Sequence, residues 1–388
     1  MSVFLFPNDY LQTVNRFEVV IIGGGLAGLT AALDLVSKGK QVLVIEKNTY
    51  PNHKVCGEYV SNEVKPYLQS LGLTVDNGQL PQIDTLQIST SKGNSVEVEL
   101  PLGGFGISRY TFDNQLYNLA KRKGVVFLHD AVTQVNFQGS DFRIELGRND
   151  GIEARMVIGA HGKRSQLDSK LERHFMTRKS PWLAVKSHFD NPGYPPNLVA
   201  LHNFPGGYGG LSQIENGNVN FCYLVRYSDF KKERDIDSFN KNVVSQNPFL
   251  RDFLSNAHAV FTKPMAIGQI SFAKKHPIEN HMLMCGDSAG LIHPLCGNGM
   301  AMAIHSAKLA STQVNLFLKN PSYTRKEMEM NYATAWKMNF EKRLWAGRRL
   351  QGIFMHTKWF DFGIRTLAQS KFLLRNLIRT THGTPIYS

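Results

Sequence analysis

The chain predicts an α/β fold in which a nucleotide-binding parallel sheet is interleaved with a mainly antiparallel sheet and followed by a helical region. Three observations carry that reading: a glycine fingerprint near residue 25, a second strand–loop–helix unit after residue 281, and alternating apolar strands between them. The first is Val19-Val20-Ile21-Ile22-Gly23-Gly24-Gly25-Leu26-Ala27-Gly28, a β-branched strand entering Gly-x-Gly-x-x-Gly. Gly23 permits the tight turn, Gly25 lets the backbone approach a pyrophosphate, and Gly28 lets helix and strand pack closely. The helix start at Ala27 adds free N–H groups and a positive dipole end. Gln41-Val42-Leu43-Val44-Ile45-Glu46-Lys47 then reads as a second buried parallel strand. Glu46 lies 18 residues past Gly28, close to the separation of about 20 expected for a carboxylate that binds a ribose hydroxyl. Lys47 beside it is a further candidate contact. These residues define a dinucleotide site, and the acid disfavours a 2′-phosphate.

Composition narrows the class. A chain of 388 residues with 42% hydrophobic and 19% charged residues is that of a folded protein with substantial cores. No apolar run reaches the roughly 18 residues of a membrane span, and no secretory signal is expected in residues 1–15, so a cytoplasmic setting is expected. Cys56, Cys222, Cys285 and Cys296 form no Cys-x-x-Cys pair, and no His cluster has zinc spacing. Reduced thiols and no metal are the expectation. The net charge of +13 is uneven: residues 335–388 carry ten Lys/Arg against Glu341 and Asp361, interleaved with Trp336, Phe340, Trp345, Phe354, Trp359, Phe360, Phe362 and Phe372. The favoured reading is a helical cap that buries its aromatics, because its apolar residues occur on more than one side of a helical wheel. The alternative is peripheral contact with an anionic bilayer, where each cation contributes about 1 kcal/mol. Nucleic acid is not an expected partner, since no reading motif accompanies the charge.

The second unit is His281-Met282-Leu283-Met284-Cys285-Gly286-Asp287-Ser288-Ala289-Gly290, a strand ending in Gly-Asp. Leu291-Ile292-His293-Pro294-Leu295-Cys296-Gly297-Asn298-Gly299-Met300 and a helix-like stretch follow. Paired with the N-terminal fingerprint, this segment resembles the flavin monooxygenase and geranylgeranyl reductase superfamily, which includes p-hydroxybenzoate hydroxylase. The resemblance implies an FAD-binding Rossmann-like domain of the glutathione-reductase type. It places Asp287 on the FAD ribityl chain or adjoining phosphate, and Gly297, Gly299 and Met300 at the pyrimidine end of the flavin. A helix start there supplies N–H donors for the charge of reduced flavin. Within the same resemblance, Arg109 in Ser108-Arg109-Tyr110-Thr111-Phe112-Asp113 contacts FAD, Asp113 favours the helix start as a charge or cap, and the backbone near Val132 approaches the adenine. Where aromatic hydroxylases carry Asp-Gly-x-Asp-Ser, this chain has Ala160-His161-Gly162-Lys163-Arg164-Ser165, and Asp168 stands where that pattern ends in Arg. His161 is read as a packed turn residue. Reduction by NAD(P)H or by a partner electron-donor protein both stay open.

Lys54-Val55-Cys56-Gly57 resembles the Lys-x-Cys-Gly segment of the geranylgeranyl reductase branch, which brings Cys56 and Gly57 to the flavin ring. The Trp-x-Trp-x-Ile-Pro signature of flavin halogenases is absent, which argues against halogenation. Residues 1–75, 103–180 and 265–318 are expected to form a discontinuous FAD-binding domain. Residues 76–102 and 181–264 are expected to form the substrate-binding sheet, and 319–388 the helical region. Tyr208, Phe221 and Tyr223 are candidate substrate contacts, half of such residues facing the other side of the sheet. Cys56 and His293 are the candidate catalytic side chains, each able to move a proton beside the flavin. The expected function is an FAD-dependent oxidoreductase acting on a hydrophobic or aromatic small molecule (lipid, isoprenoid or polyketide), by double-bond reduction or by oxygen insertion. An aromatic-ring monooxygenase using NAD(P)H and O2 is the alternative, and a non-enzymatic prenyl- or lipid-binding protein on the same scaffold the remote one.

Overall fold

A computed structural model describes residues 16–75, 78–355, 360–361, 363–364 and 383–387. The chain begins with β1 (Arg16–Ile22), α1 (Leu26–Ser37), β2 (Val42–Ile45), β3 (Tyr59–Ser61) and α2 (Lys65–Ser70). It continues through β4 (Gln82–Ser89), β5 (Ser95–Gly106), α3 (Arg109–Arg122), β6 (Val126–Leu128), β7 (Val132–Phe137), β8 (Phe142–Leu146), β9 (Ile152–Gly159) and α4 (Gln166–Lys170). Four longer strands follow: β10 (Trp182–Asp190), β11 (Leu198–Phe204), β12 (Gly207–Gln213) and β13 (Val219–Arg226). After α5 (Tyr227–Phe230), α6 (Ile236–Asn242) and α7 (Pro248–Asn256) come the short strands β14 (His258–Ala259), β15 (Met265–Gly268), β16 (Ile278–Glu279) and β17 (Met282–Met284). Two long helices, α8 (Gly299–Lys319) and α9 (Arg325–Phe354), follow.

The first sheet has the order β16-β17-β9-β1-β2-β6, with the β7–β8 hairpin attached to β9. Its parallel strands lie between helices, which is why β2 is Val-Leu-Val-Ile with all four residues buried. β1 and β17 both pair with β9, so the two glycine-bearing strand ends emerge on the same edge, one strand apart.

The second sheet runs β14-β10-β13-β12-β11-β4-β5-β3, with β15 on β10 and a parallel β11–β4 pair in an otherwise antiparallel array. Strand alternation divides its residues. Leu183, Val185, Phe221, Tyr223 and Val225 pack with Phe239, Leu250 and Phe253 on one face. Ala184, Tyr208 and Leu224 pack with Leu291 and Phe354 on the other. Residues 181–264 are thus not strands throughout: beyond Arg226 the chain forms α5, α6 and α7. Asp235 and Asn247 cap α6 and α7, and Pro248 opens α7. β3 joins this second sheet although it precedes β4 by 20 residues of chain.

α9 starts at a Thr324/Glu327 capping box and buries Met328, Tyr332, Trp336, Phe340 and Leu344, one residue in four. The remaining basic and aromatic positions Lys358, Trp359, Phe362, Arg365, Lys371, Phe372, Arg375 and Arg379 lie outside the described residues. Among the described residues, no helix is long and apolar enough to cross a membrane.

Candidate functional site

The turn from β1 to α1 is closed from both sides. Gly23 has φ +104°, and a Cβ there would run into the Ala160 carbonyl. A Cβ on Gly28 would collide with the Gly23 carbonyl, so strand and helix meet only because neither residue has a side chain. Gly25 caps α1 without any side-chain hydrogen bond, leaving the first-turn N–H groups open. A Cβ on Gly25 would lie 3.5 Å from Arg109 Nη2 and 3.8 Å from Lys54 Nζ. Helix start and two cations therefore face one small space. Glu46, at the end of β2, is buried and accepts the Gly24 N–H (2.8 Å) and the Asn48 N–H (3.0 Å). Lys47 is exposed beside it. Val132 is half-buried at the start of β7, three residues beyond His129, whose ring approaches the Glu46 carbonyl at 3.4 Å.

Arg109 opens α3, but Asp113 does not cap that helix. Ser108 does, accepting the Thr111 N–H at 3.1 Å. Asp113 is instead a fully buried counter-ion, bound by Arg109 Nε (2.7 Å), Arg109 Nη2 (2.8 Å) and Lys54 Nζ (2.8 Å). Burial alone would favour the neutral acid; the two cations reverse this and hold its pKa below the usual carboxylate range. For Arg109, burial opposes the charge and Asp113 restores it, so the guanidinium stays ionised.

The Gly286-Asp287 unit reaches the same groove. Gly286 has φ +57°, and its Cβ would come within 3.1 Å of the Ala27 methyl, so the end of β17 abuts the first turn of α1. Asp287 is half-buried; its carbonyl accepts Lys275 Nζ at 2.7 Å, while its carboxylate takes no hydrogen bond among the described residues. Burial lowers Lys275 to about 8, and its ammonium also reaches the Lys163 carbonyl at 2.8 Å, tying the two loops together. Gly297 has φ +61° and packs toward Tyr59, Asn298 precedes α8, and Gly299 and Met300 form its first residues.

Between these ends runs the segment 54–58, held by side chains. The carbonyls of Lys54, Val55, Cys56 and Gly57 accept hydrogen bonds from Lys186 (3.1 Å), Lys163 (3.0 Å), Asn220 (3.2 Å) and Ser212 (3.2 Å). Cys56 is half-buried, and Gly57 is exposed, with nothing within 4 Å of an added Cβ. Next to it Glu58 is completely buried at φ +57° and binds the Arg109 N–H (2.7 Å), Lys186 Nζ (2.5 Å) and His188 Nε2 (2.7 Å). Burial penalises its charge, and His188 and Lys186 outweigh that penalty, so its pKa is lowered. Sequence reading missed Glu58, Lys186 and His188. The available signal was Lys186 and His188 two apart in a strand that begins Trp-Leu-Ala-Val, hence on one face.

The candidate substrate contacts separate. Tyr208 lies on the sheet face toward the loop, its hydroxyl accepting the Leu295 N–H at 3.4 Å and its ring meeting Phe354 edge-on at 5.6 Å. Phe221 and Tyr223 lie on the opposite face, packed under α6 and α7, and are not gathered with Tyr208. His293 is buried and stacked on Phe272 at 3.9 Å, with neither ring nitrogen hydrogen-bonded among the described residues; burial lowers it to about 3. His161 Nε2 donates to the Asp168 carboxylate at 3.0 Å, and Arg173 donates to the same carboxylate at 2.8 Å. Burial works against that charge, but His161 and Arg173 hold Asp168 well below its usual pKa. Arg164 is exposed.

Two glycine-bearing strand ends on one edge of a parallel sheet, a cationic cradle over a helix start and an unpartnered carboxylate at the far end together fit an extended dinucleotide. This is the fold and site of an FAD-dependent oxidoreductase. Residues 16–321 match the model of a family described as "FAD binding domain", and the chain belongs to that family. It is 27% identical over 315 residues to the menaquinone reductase of Mycobacterium tuberculosis, covering 76% of this chain and 75% of that protein. It is 25% identical to the digeranylgeranylglycerophospholipid reductase of Methanosarcina acetivorans, covering 83% and 80%. Among solved structures, the flavin-dependent brominase Bmp2 superposes with a TM-score of 0.78 at 18% identity, covering 94% and 93%, a likeness of fold.

Proposed function

We propose that this enzyme reduces a double bond of a hydrophobic substrate, with electrons drawn from NAD(P)H or a partner reductant. The observation that carries this is the half-buried Cys56 thiol beside the open face of Gly57, one residue after Val55, which packs on an apolar cluster of Trp182, Tyr208, Phe272, Leu291 and Leu295. The similarity to two reductases supports the same reading. When bound, FAD supplies a two-electron carrier that delivers hydride. Gly25, Ala27, Arg109 and Lys54 would hold its pyrophosphate, Glu46 its ribose, Asp287 its ribityl hydroxyls, and Gly297 to Met300 its pyrimidine edge. The apolar wall excludes water and orients the substrate, and Cys56 delivers the proton that completes reduction. His293 is neutral at physiological pH and both its ring nitrogens are buried, so this reading gives it no part in proton transfer.

The test is anaerobic. Enzyme reduced by NAD(P)H or dithionite should hold its electrons until an unsaturated isoprenoid lipid or prenylated quinone is added, then turn yellow. Reoxidation only with O2 plus a phenol would establish oxygen insertion instead. A colourless protein that takes up no FAD would overturn both.

A further inference from the structure

We propose that the outward face of α9 rests on an anionic lipid surface. Trp336 and Trp345 are nine residues apart, two and a half helical turns, so they project from opposite sides of α9. Trp336 is buried with Tyr332 and Phe340, whereas Trp345 is 57% exposed. On that outer side Met338 is 78% exposed and Met330 58% exposed, with Ile353 a little further round at 50%. A packed helix that leaves four large apolar side chains in water on one side is unusual, because soluble surfaces seldom repeat such residues at helical spacing.

Cations fill the gaps between them. Lys337, Lys342, Arg348 and Arg349 are all exposed, and among the described residues none is paired with a carboxylate. Glu341 is the single acid among them. Arg349 lies over the Trp345 ring at 5.5 Å, an arrangement in which the guanidinium stays near water while the indole faces outward. Apolar side chains separated by free cations do not form the continuous dry patch of a protein interface. They suit a bilayer margin, where indole and thioether enter the headgroup region and the cations meet lipid phosphates. The sequence offered a buried cap and a membrane-facing helix as alternatives for this region. α9 has one face of each kind. The inner side of α9 packs on the 290–297 loop through Trp336, Leu344 and Gly347, and the test reads binding to lipid rather than turnover.

The test uses the FAD-loaded full chain, sedimented with vesicles of one-third phosphatidylglycerol in phosphatidylcholine and with phosphatidylcholine alone. Partition to the anionic vesicles should be roughly tenfold stronger and should fall with added salt. Met338→Ser/Trp345→Ser and Lys342→Gln/Arg349→Gln should each lower it about tenfold. FAD content and melting temperature should hold in both variants, since all four side chains are exposed. Equal partition to both vesicles, no partition, or variants that bind like the parent chain would overturn the proposal. So would self-association in solution that the same substitutions abolish, which would make this face a contact between copies.

Discussion

Glu58 adopts a left-handed backbone conformation that costs a non-glycine residue roughly 1–2 kcal/mol. Its three partners fix that conformation, and they come from Arg109 on one sheet's helix and Lys186 and His188 on the other sheet. Substituting Glu58→Leu leaves Lys186, which has no exposed side-chain surface, as an uncompensated buried charge. Denaturant unfolding should show a loss of about 3–5 kcal/mol, whereas the double change Glu58→Leu/Lys186→Met should recover much of it. Gly25 tests the opposite situation, where there is room. A glutamate at Gly25 would meet Arg109 and Lys54, and on the proposed cofactor placement it would occupy the place of the phosphates. Purified Gly25→Glu should be colourless yet melt no lower than the apo form of the parent chain. The glycines were legible in the sequence because each answers to local sterics at known spacing. Glu58 was not, because its partners Arg109, Lys186 and His188 lie 51, 128 and 130 residues away and only the folded sheets bring them together.

At the scale of elements, the strand end at Gly286 and the start of α1 depend on a methyl-to-backbone approach. Gly286→Val adds a β-branched side chain at φ +57°, 3.1 Å from the Ala27 methyl at its first carbon. It should lower stability by about 1–3 kcal/mol and FAD affinity by a larger factor than it lowers melting temperature, as equilibrium dialysis and thermal unfolding would show. The pairing of the two glycine units into one groove was readable from their motifs. The phase of the second sheet was not. Alternation tells that Phe221 and Tyr223 share a face, but which face depends on α6 and α7 covering it. Those helices are short and were read as strand-and-turn sequence. Asp113 misled for a related reason: an acid near a helix start satisfies a dipole argument, but Asp113 is the fifth residue of α3, while Ser108, one residue before the helix, had the shape of a cap.

For the whole molecule, acid is the informative perturbation. His202 and His293 are lowered by burial to about 3, and His305 to about 4. All three titrate near 6.5 when unfolded, so below that pH the unfolded chain binds protons that the fold refuses. Their contribution is complete above about pH 6.5 and is lost as the pH falls toward 3 and 4. The depressed carboxyls of Glu58, Asp113 and Asp168 add a second loss below about pH 4.5, as the pH falls through their folded values. Melting temperature measured from pH 8 downward should therefore decline in two stages, and His202→Gln should blunt the first. The two interleaved sheets and the helical end were legible from motif positions along the chain. The transfer of β3 to the second sheet was not, since a three-residue strand carries too little pattern to declare its neighbour.

β1 reaches β17 only through β9, so the phosphate turn and its distant carboxylate partner become neighbours after residues 152–159 have inserted between them. During synthesis, a nascent polypeptide shorter than about residue 300 lacks the second rim of the groove, and cofactor capture must follow release of nearly the whole chain from the ribosome. Starving cells of riboflavin should accordingly accumulate full-length apoprotein rather than truncated, stalled products.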